Sequence, residues 1–201
     1  MGRRSDHSRD ELFEMALNAA EKIVEKEGIT SLTARRVSKE IGYSVGTIYN
    51  LFDNLDDLSL HVKARTLDAL YAVIKDTVQG KDVTEDFLAL SGAYFQFLTE
   101  NPNTWGSILE RVSADGKALP NWYLEKVAMP FSVVERALMP LFVGQADAQE
   151  KAEYAAHTLW CGVHGIAVLG MEKSLEAMGS KDAKAMADYM ILTFLKGLKH
   201  S

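Results

Sequence analysis

The stretch from Leu32 to Phe52 carries the side chains best suited to chemistry. Gly42-Tyr43-Ser44-Val45-Gly46 fits G-x-S-x-G, in which a strained strand-to-helix turn exposes a serine as a nucleophile. That chemistry needs a strand before the serine. Here the preceding residues have helical spacing and include Arg35, Arg36, Lys39 and Glu40, and no alternating β-rich run occurs in the chain. Ser44 reads better as the N-cap of a helix starting at Val45, so no catalytic residue is assigned. Ile48 and Phe52, four apart, then face inward. Val45, Thr47, Tyr49 and Asn50 point away. A valine can pack on a thymine methyl and an asparagine can read a base edge. The hydroxyls of Thr47 and Tyr49 suit phosphate oxygens.

A second constellation is His157, Cys161 and His164, spaced i, i+4 and i+7 on one helical face. It invites a metal reading. Seven residues of helix span roughly 10 Å, and metal–ligand bonds of about 2 Å cannot bring all three to one ion. No metal and no cofactor is assigned. His164 is then either a buried, hydrogen-bonded histidine or a polar anchor in a ligand pocket.

These residues need elements to hold them. Thr33 suits an N-cap for a helix from about Ala34 to Ile41, with Val37 and Ile41 on its inner face. Gly42 ends that helix in a left-handed conformation. Two short helices joined by a tight turn are a helix-turn-helix, whose second helix can enter a DNA major groove. Before them, Leu12, Phe13, Ala16, Leu17, Ala20, Ile23 and Val24 recur at helical spacing, so about Arg9 to Glu27 is an amphipathic helix. Ser8 and Glu11 form its capping box. Three short helices are marginal alone and should lean on the next element.

The remainder also reads as helix. A long helix from Leu55 carries a stripe including Val62, Thr66, Ala69, Leu70, Val73 and Ile74, and ends at Gly80. Thr84 caps another that stops at Asn101-Pro102, and a short helix with Trp105, Ile108, Leu109 and Val112 follows. Residues 113–119 read as a loop. Pro120 opens the next helix, which Pro130 should kink or split. A long helix runs from Ala146 to about Met178; its apolar part is too short and too interrupted to span a membrane. Ser180 caps a last helix striped by Met186, Met190, Ile191, Phe194 and Leu195.

Bulk properties narrow the class. The chain has 201 residues, 47% hydrophobic and 25% charged, as a globular protein would. A single cysteine, Cys161, excludes an internal disulfide and suits a reducing cytosol. The N-terminus shows no apolar signal region, so a cytoplasmic location is expected. Net charge is −6, which argues against nucleic-acid binding over the whole surface but leaves room for a local basic face. Residues 1–63 hold nine basic and eleven acidic side chains, so placement decides the sign. Arg3, Arg4 and Arg9 precede the first helix, and Arg35, Arg36 and Lys39 lie on the second. The acids Glu14, Glu21, Glu25 and Glu27 lie on the first helix, which could face away from DNA.

The segment from about Ser8 to Leu60 resembles the DNA-binding domain of the TetR (tetracycline-repressor-like) family of transcriptional regulators. Leu32-Thr33, Val37, Gly42, Ser44, Gly46-Thr47-Ile48-Tyr49 and Phe52 carry the match. Further on, Trp160-Cys161-Gly162-Val163-His164-Gly165 looks like the tryptophan and histidine-glycine signature of one branch. The resemblance implies an all-α protein that represses transcription as a homodimer on near-palindromic operator DNA, released by a small effector held in its C-terminal domain. It also implies that Thr33 and Arg35 contact the DNA backbone. Two departures stand out. The family often has His or Tyr where this chain has Leu51, and Lys where it has Leu55, both read as phosphate contacts. Their absence leaves the clamp weaker, or carried by Arg3, Arg4, Arg35, Arg36 and Lys39.

The resulting expectation is a DNA-binding domain over 1–54 and a dimerising, ligand-binding helical bundle over 55–201. Its interface is expected on helices 146–178 and 181–199. Trp105, Leu109, Trp122, Phe131, Trp160 and His164 are the candidate lining of a largely apolar effector pocket. Aromatic density alone is more often plain core. The interruption at Pro130, the missing side chains at Gly162 and Gly165, and His164 one turn beyond Trp160 favour the pocket.

Overall fold

The computed structural model describes residues 7–80, 82–109, 118–177, 179 and 182–199; the side chain of Leu109 is outside that description. The described residues are helical, without a strand. The helices are α1 (Arg9–Glu27), α2 (Ala34–Ile41), α3 (Val45–Leu51), α4 (Leu55–Ile74), α5 (Val83–Glu100), α6 (Pro102–Leu109), α7 (Asn121–Leu138), α8 (Ala148–Met171), α9 (Ser174–Ala177) and α10 (Ala183–Leu198). They form two compact units, Met1–Leu67 with Glu100–Leu124, and Asp68–Thr99 with Glu125–Ser201. The boundaries fall inside α4, at the last residue of α5 and inside α7.

The first unit is built by its caps. Ser8 and Glu11 close the capping box of α1, with Ser8 N donating to Glu11 Oε2 at 2.6 Å and Glu11 N to Ser8 Oγ at 3.2 Å. Thr33 Oγ1 accepts from Arg36 N, and Gly42 at φ +76° ends α2 in the left-handed region. Each cap of this kind contributes about 1 kcal/mol, a large share for helices this short. Ala16, Ala20, Val24, Val37, Ile48, Phe52, Leu58 and Val62 are buried together, so α1 to α3 share one core with the front of α4. Arg65 of α4 grips α1, donating to Asn18 Oδ1, Glu21 Oε2 and Glu14 Oε2 at 2.5 to 2.9 Å. Asn103 of α6 donates to Glu25 O at 2.8 Å, so α6 also leans on α1.

In the second unit α10 packs along α8, with Leu159, Val163, Ile191 and Leu195 buried. Their approach is close because α8 carries glycines. A Cβ at Gly170 would stand 2.6 Å from Ala183 Cβ, and one at Gly162 would stand 2.5 Å from Met190 Sδ. Asp188 of α10 accepts from Ser91 of α5 at 2.9 Å and from Lys184 Nζ, which joins α5 to the pair.

Several boundaries differ from the expected ones. α4 stops at Ile74, before Gly80, and Ala69 and Val73 of its predicted stripe are exposed. Asp82 caps α5 in place of Thr84, its Oδ1 accepting from Glu85 N at 2.9 Å. Pro130 is buried inside α7, which runs through it unsplit. The predicted 146–178 helix ends at Met171, where Lys173 takes a left-handed φ of 58° before α9 begins. Ser180, Val112 and most of the 113–119 loop lie outside the described residues. Asp182 caps α10, accepting from Ala185 N at 2.9 Å.

Candidate nucleic-acid interface and the aromatic sites

Ser44 sits between two helices, not after a strand, and its oxygen is occupied. It accepts from Thr47 N at 3.2 Å and lies 3.0 Å from Thr47 Oγ1. This is the geometry of a helix cap, and it gives the G-x-S-x-G match a backbone role. The cap fixes where α3 starts, and the start fixes which side chains face out. Ile48, Leu51 and Phe52 are buried; Val45, Tyr49 and Asn50 are exposed, with Thr47 half-buried. Tyr49 is 54% exposed, a large aromatic with no core to fill.

The basic residues of α2 fall into two kinds. Arg35 and Lys39, four apart, are exposed, and no ion pair holds either among the described residues. Arg36 is engaged: its Nη1 donates to Glu27 Oε2 at 2.8 Å and its Nη2 to Glu27 Oε1 at 2.6 Å. Nη1 also donates to Ser31 O at 3.2 Å. The hydrogen bonds with Glu27 raise the guanidinium pKa and lower that of the carboxyl. Arg36 therefore braces α2 against the end of α1. Thr33 is exposed, and because its oxygen accepts from Arg36 N, its hydroxyl proton is left to donate outward. Arg3 and Arg4 lie outside the described residues.

The acids of α1 are largely answered within the unit. Glu14 and Glu21 pair with Arg65, and Glu27 pairs with Arg36. The two leucines that replace polar family positions have joined the core. Leu51 is buried, and half-buried Leu55 packs against the same cluster. One contact has no local signal in the sequence: His7 Nδ1 and Tyr43 Oη share a hydrogen bond of 2.7 Å across 36 residues. It ties the lead into α1 to the turn between α2 and α3.

Residues 16–62 match the family described as bacterial regulatory proteins, tetR family. Residues 87–194 match the tetracyclin repressor-like C-terminal domain. The chain belongs to the TetR family. It is a transcriptional regulator with a DNA-binding helix-turn-helix. It is 25% identical over 192 residues to an uncharacterized HTH-type transcriptional regulator of Mycobacterium tuberculosis, covering 96% of this chain and 82% of that one. It is 24% identical over 185 residues to another from Bacillus subtilis, covering 92% and 91%. In fold it is similar to a protein of unknown function from Rhodococcus, with TM-score 0.71 and 22% identity over 98% of this chain and all of that one (100%).

The six aromatic and apolar candidates of this TetR-family chain divide between its units. Trp105, Leu109 and Trp122 belong to the first unit, and Phe131, Trp160 and His164 to the second. The latter three are brought together. Trp160 stacks on His164 with ring centroids 4.9 Å apart and 10° between planes, and Phe131 meets Trp160 edge-on at 5.5 Å. His164 is buried and its Nδ1 shares a hydrogen bond of 2.5 Å with Tyr94 Oη. Burial lowers its pKa. His157 and Cys161, by contrast, are exposed, and the His157 ring meets Phe131 edge-on with centroids 4.6 Å apart.

In the first unit Trp105 is buried on α6, while Trp122 opens α7 and stacks on His61 at 4.5 Å with 12° between planes. His61 also meets Phe13 and Phe52 edge-on at 5.1 and 5.7 Å. The side chain of Leu109 lies outside the described residues. A cleft of about 230 Å³ opens elsewhere in the second unit, among α5, α8, α9 and α10, and none of the six lines it.

Proposed function

We propose that this protein is a dimeric repressor that binds a near-palindromic operator and leaves it when a small effector binds. Residues 1–54 read DNA, and 55–201 dimerise and hold the effector. The observation that carries this reading is the capped recognition helix α3, which leaves Val45, Tyr49 and Asn50 exposed in the same unit as Arg35 and Lys39, exposed cations that no ion pair holds among the described residues. In this reading Thr33, Ser44, Thr47 and Tyr49 position the backbone, Arg35 and Lys39 supply charge, and Val45 and Asn50 read bases. Arg36 contributes through α2 and the brace to Glu27.

A dimer supports the two-fold operator. On α8 the exposed residues Tyr154, Thr158, Cys161 and Leu169 recur at helical spacing, and on α10 so do Ala185, Tyr189 and Leu192. Tyr154 is 78% and Tyr189 75% exposed, an apolar outlay that a second copy would cover. Effector control rests on the family's character, with Trp160, His164 and Phe131 as one aromatic candidate lining and the branch with tryptophan and histidine-glycine as its home. The deciding experiment is selection and sequencing of genomic DNA bound by the full chain. An inverted repeat with half-sites about one turn apart, bound more weakly as salt rises, is expected. Recovery of unrelated fragments, or binding indifferent to salt, would overturn the reading.

A further inference from the structure

We infer that the cleft among α5, α8, α9 and α10 binds a small amine with an apolar body, and that its cationic end meets Glu176. The inference rests on the effector-controlled reading above for its regulatory meaning, but the binding itself can be tested separately. Part of the wall is apolar: Phe95 and Leu98 from α5, Met171 from the end of α8 and Leu175 from α9. Two lining residues are polar, Thr99 and Glu176. Thr99 Oγ1 donates its proton to Phe95 O at 2.9 Å, so what it offers the cleft is an acceptor lone pair. An ionised glutamate is acceptor-only as well. Among the described residues no lysine or arginine pairs with Glu176.

A ligand must therefore bring the donors, and a carboxylate or phosphate would meet repulsion. An ammonium supplies three donors and the opposite charge. Size sets the rest. The cleft volume of about 230 Å³ equals that of about eight liquid waters, below the range of about 300–1,000 Å³ taken by drug-sized ligands. One aromatic ring on a short alkyl chain fits that volume. The site is also well placed to be felt. Met171 and Leu175 flank the left-handed Lys173, where α8 breaks into α9, and α8 and α10 carry the exposed tyrosine face.

The test is calorimetric titration of the full chain with 2-phenylethylamine, 2-phenylethanol and phenylacetate. Their shapes are alike and their end groups differ. The amine should bind at least about tenfold more tightly than the alcohol, and phenylacetate should not bind. Glu176→Gln, on an exposed residue, should remove about five- to tenfold of amine affinity and leave the alcohol unchanged. Ala167→Leu should fill the cleft and abolish binding of both; if circular dichroism shows that it fails to fold, Glu176→Gln decides alone. Equal affinity for amine and alcohol, no binding of the amine, or an unchanged amine affinity in Glu176→Gln each overturns the inference. Operator binding is measured in parallel without ligand. Its loss together with intact amine binding would sink the repressor reading and not the site.

Discussion

Arg36 and Glu27 face each other in a two-point ion pair, with nitrogen–oxygen distances of 2.8 and 2.6 Å. Planar guanidinium and planar carboxylate meet edge to edge, a geometry lysine could not supply. The pair makes three adjacent-looking cations on α2 unequal. Arg35→Ala and Lys39→Ala should each lower the slope of log affinity against log salt by about 1, because each removes one phosphate neutralisation. Arg36→Ala should leave that slope nearly unchanged while lowering the thermal midpoint. Titrations at several salt concentrations measure all three. An Arg36→Ala slope reduced as much as that of Arg35→Ala would show that Arg36 leaves Glu27 for DNA.

Asn50 and Tyr49 separate base reading from backbone positioning. Asn50→Ala should cost about 1–3 kcal/mol on the selected operator and relax preference at one base pair of each half-site. Tyr49→Phe removes only a hydroxyl from an exposed ring and should weaken binding to all sequences alike. Binding to a library of single-base operator variants distinguishes the two patterns. Wild-type affinity in both variants would remove α3 from the interface.

Much of this front unit was legible because its determinants are local. Thr33, Gly42 and Ser44 act within three or four residues of their own positions, and cap chemistry is read directly from residue type. Long-range partners were not legible. Nothing near His61 announces Trp122, and nothing near His7 announces Tyr43. Nor does anything near Glu14, Glu21 or Glu27 announce Arg65 and Arg36, which pair with them. The break at Lys173 carries no mark of its own because the left-handed residue is a lysine, where glycine or asparagine is the usual sign. An apolar stripe does not say which neighbour it meets: Ile191, in the stripe of the last helix, is buried within its own unit.

That last point yields a paired test of the dimer. Tyr189→Glu and Leu192→Glu put charge on the outer face of α10, where both residues are exposed. Each should give a monomeric mass by sedimentation at micromolar concentration, with native helicity and no operator binding. Ile191→Glu buries the charge at a position 2% exposed and should instead unfold the second unit, a loss of several kcal/mol. A persistent dimer in the Tyr189→Glu, Leu192→Glu double variant would place the interface on another face.

Acid should destabilise the protein partly through two histidines. Burial lowers the pKa of both His164 and His61 from the ordinary 6.5. For His61, Asp57 at 3.7 Å opposes the shift and Arg65 adds to it. For His164 the Tyr94 hydroxyl and the stacked Trp160 ring are among the neighbours, and burial is the cause of the shift. Above about pH 6.5 both histidines are neutral folded and unfolded, and neither contributes a pH dependence. As pH falls below that value the unfolded chain takes the protons first, so stability drops until the folded pKa is reached. One such proton changes stability by at most about 1.4 kcal/mol per pH unit. Carboxylates titrate in the same range, so the informative quantity is a difference. Urea midpoints at pH 7.5 and 5.5 should fall less for His164→Asn and His61→Phe than for the unaltered chain, and least for the double variant. A cation held over the Trp160 face would be attracted to the ring. Were that attraction to outweigh burial, the unaltered chain would lose less stability on acidification than His164→Asn, and the stacked pair would have to be read as a proton-binding site.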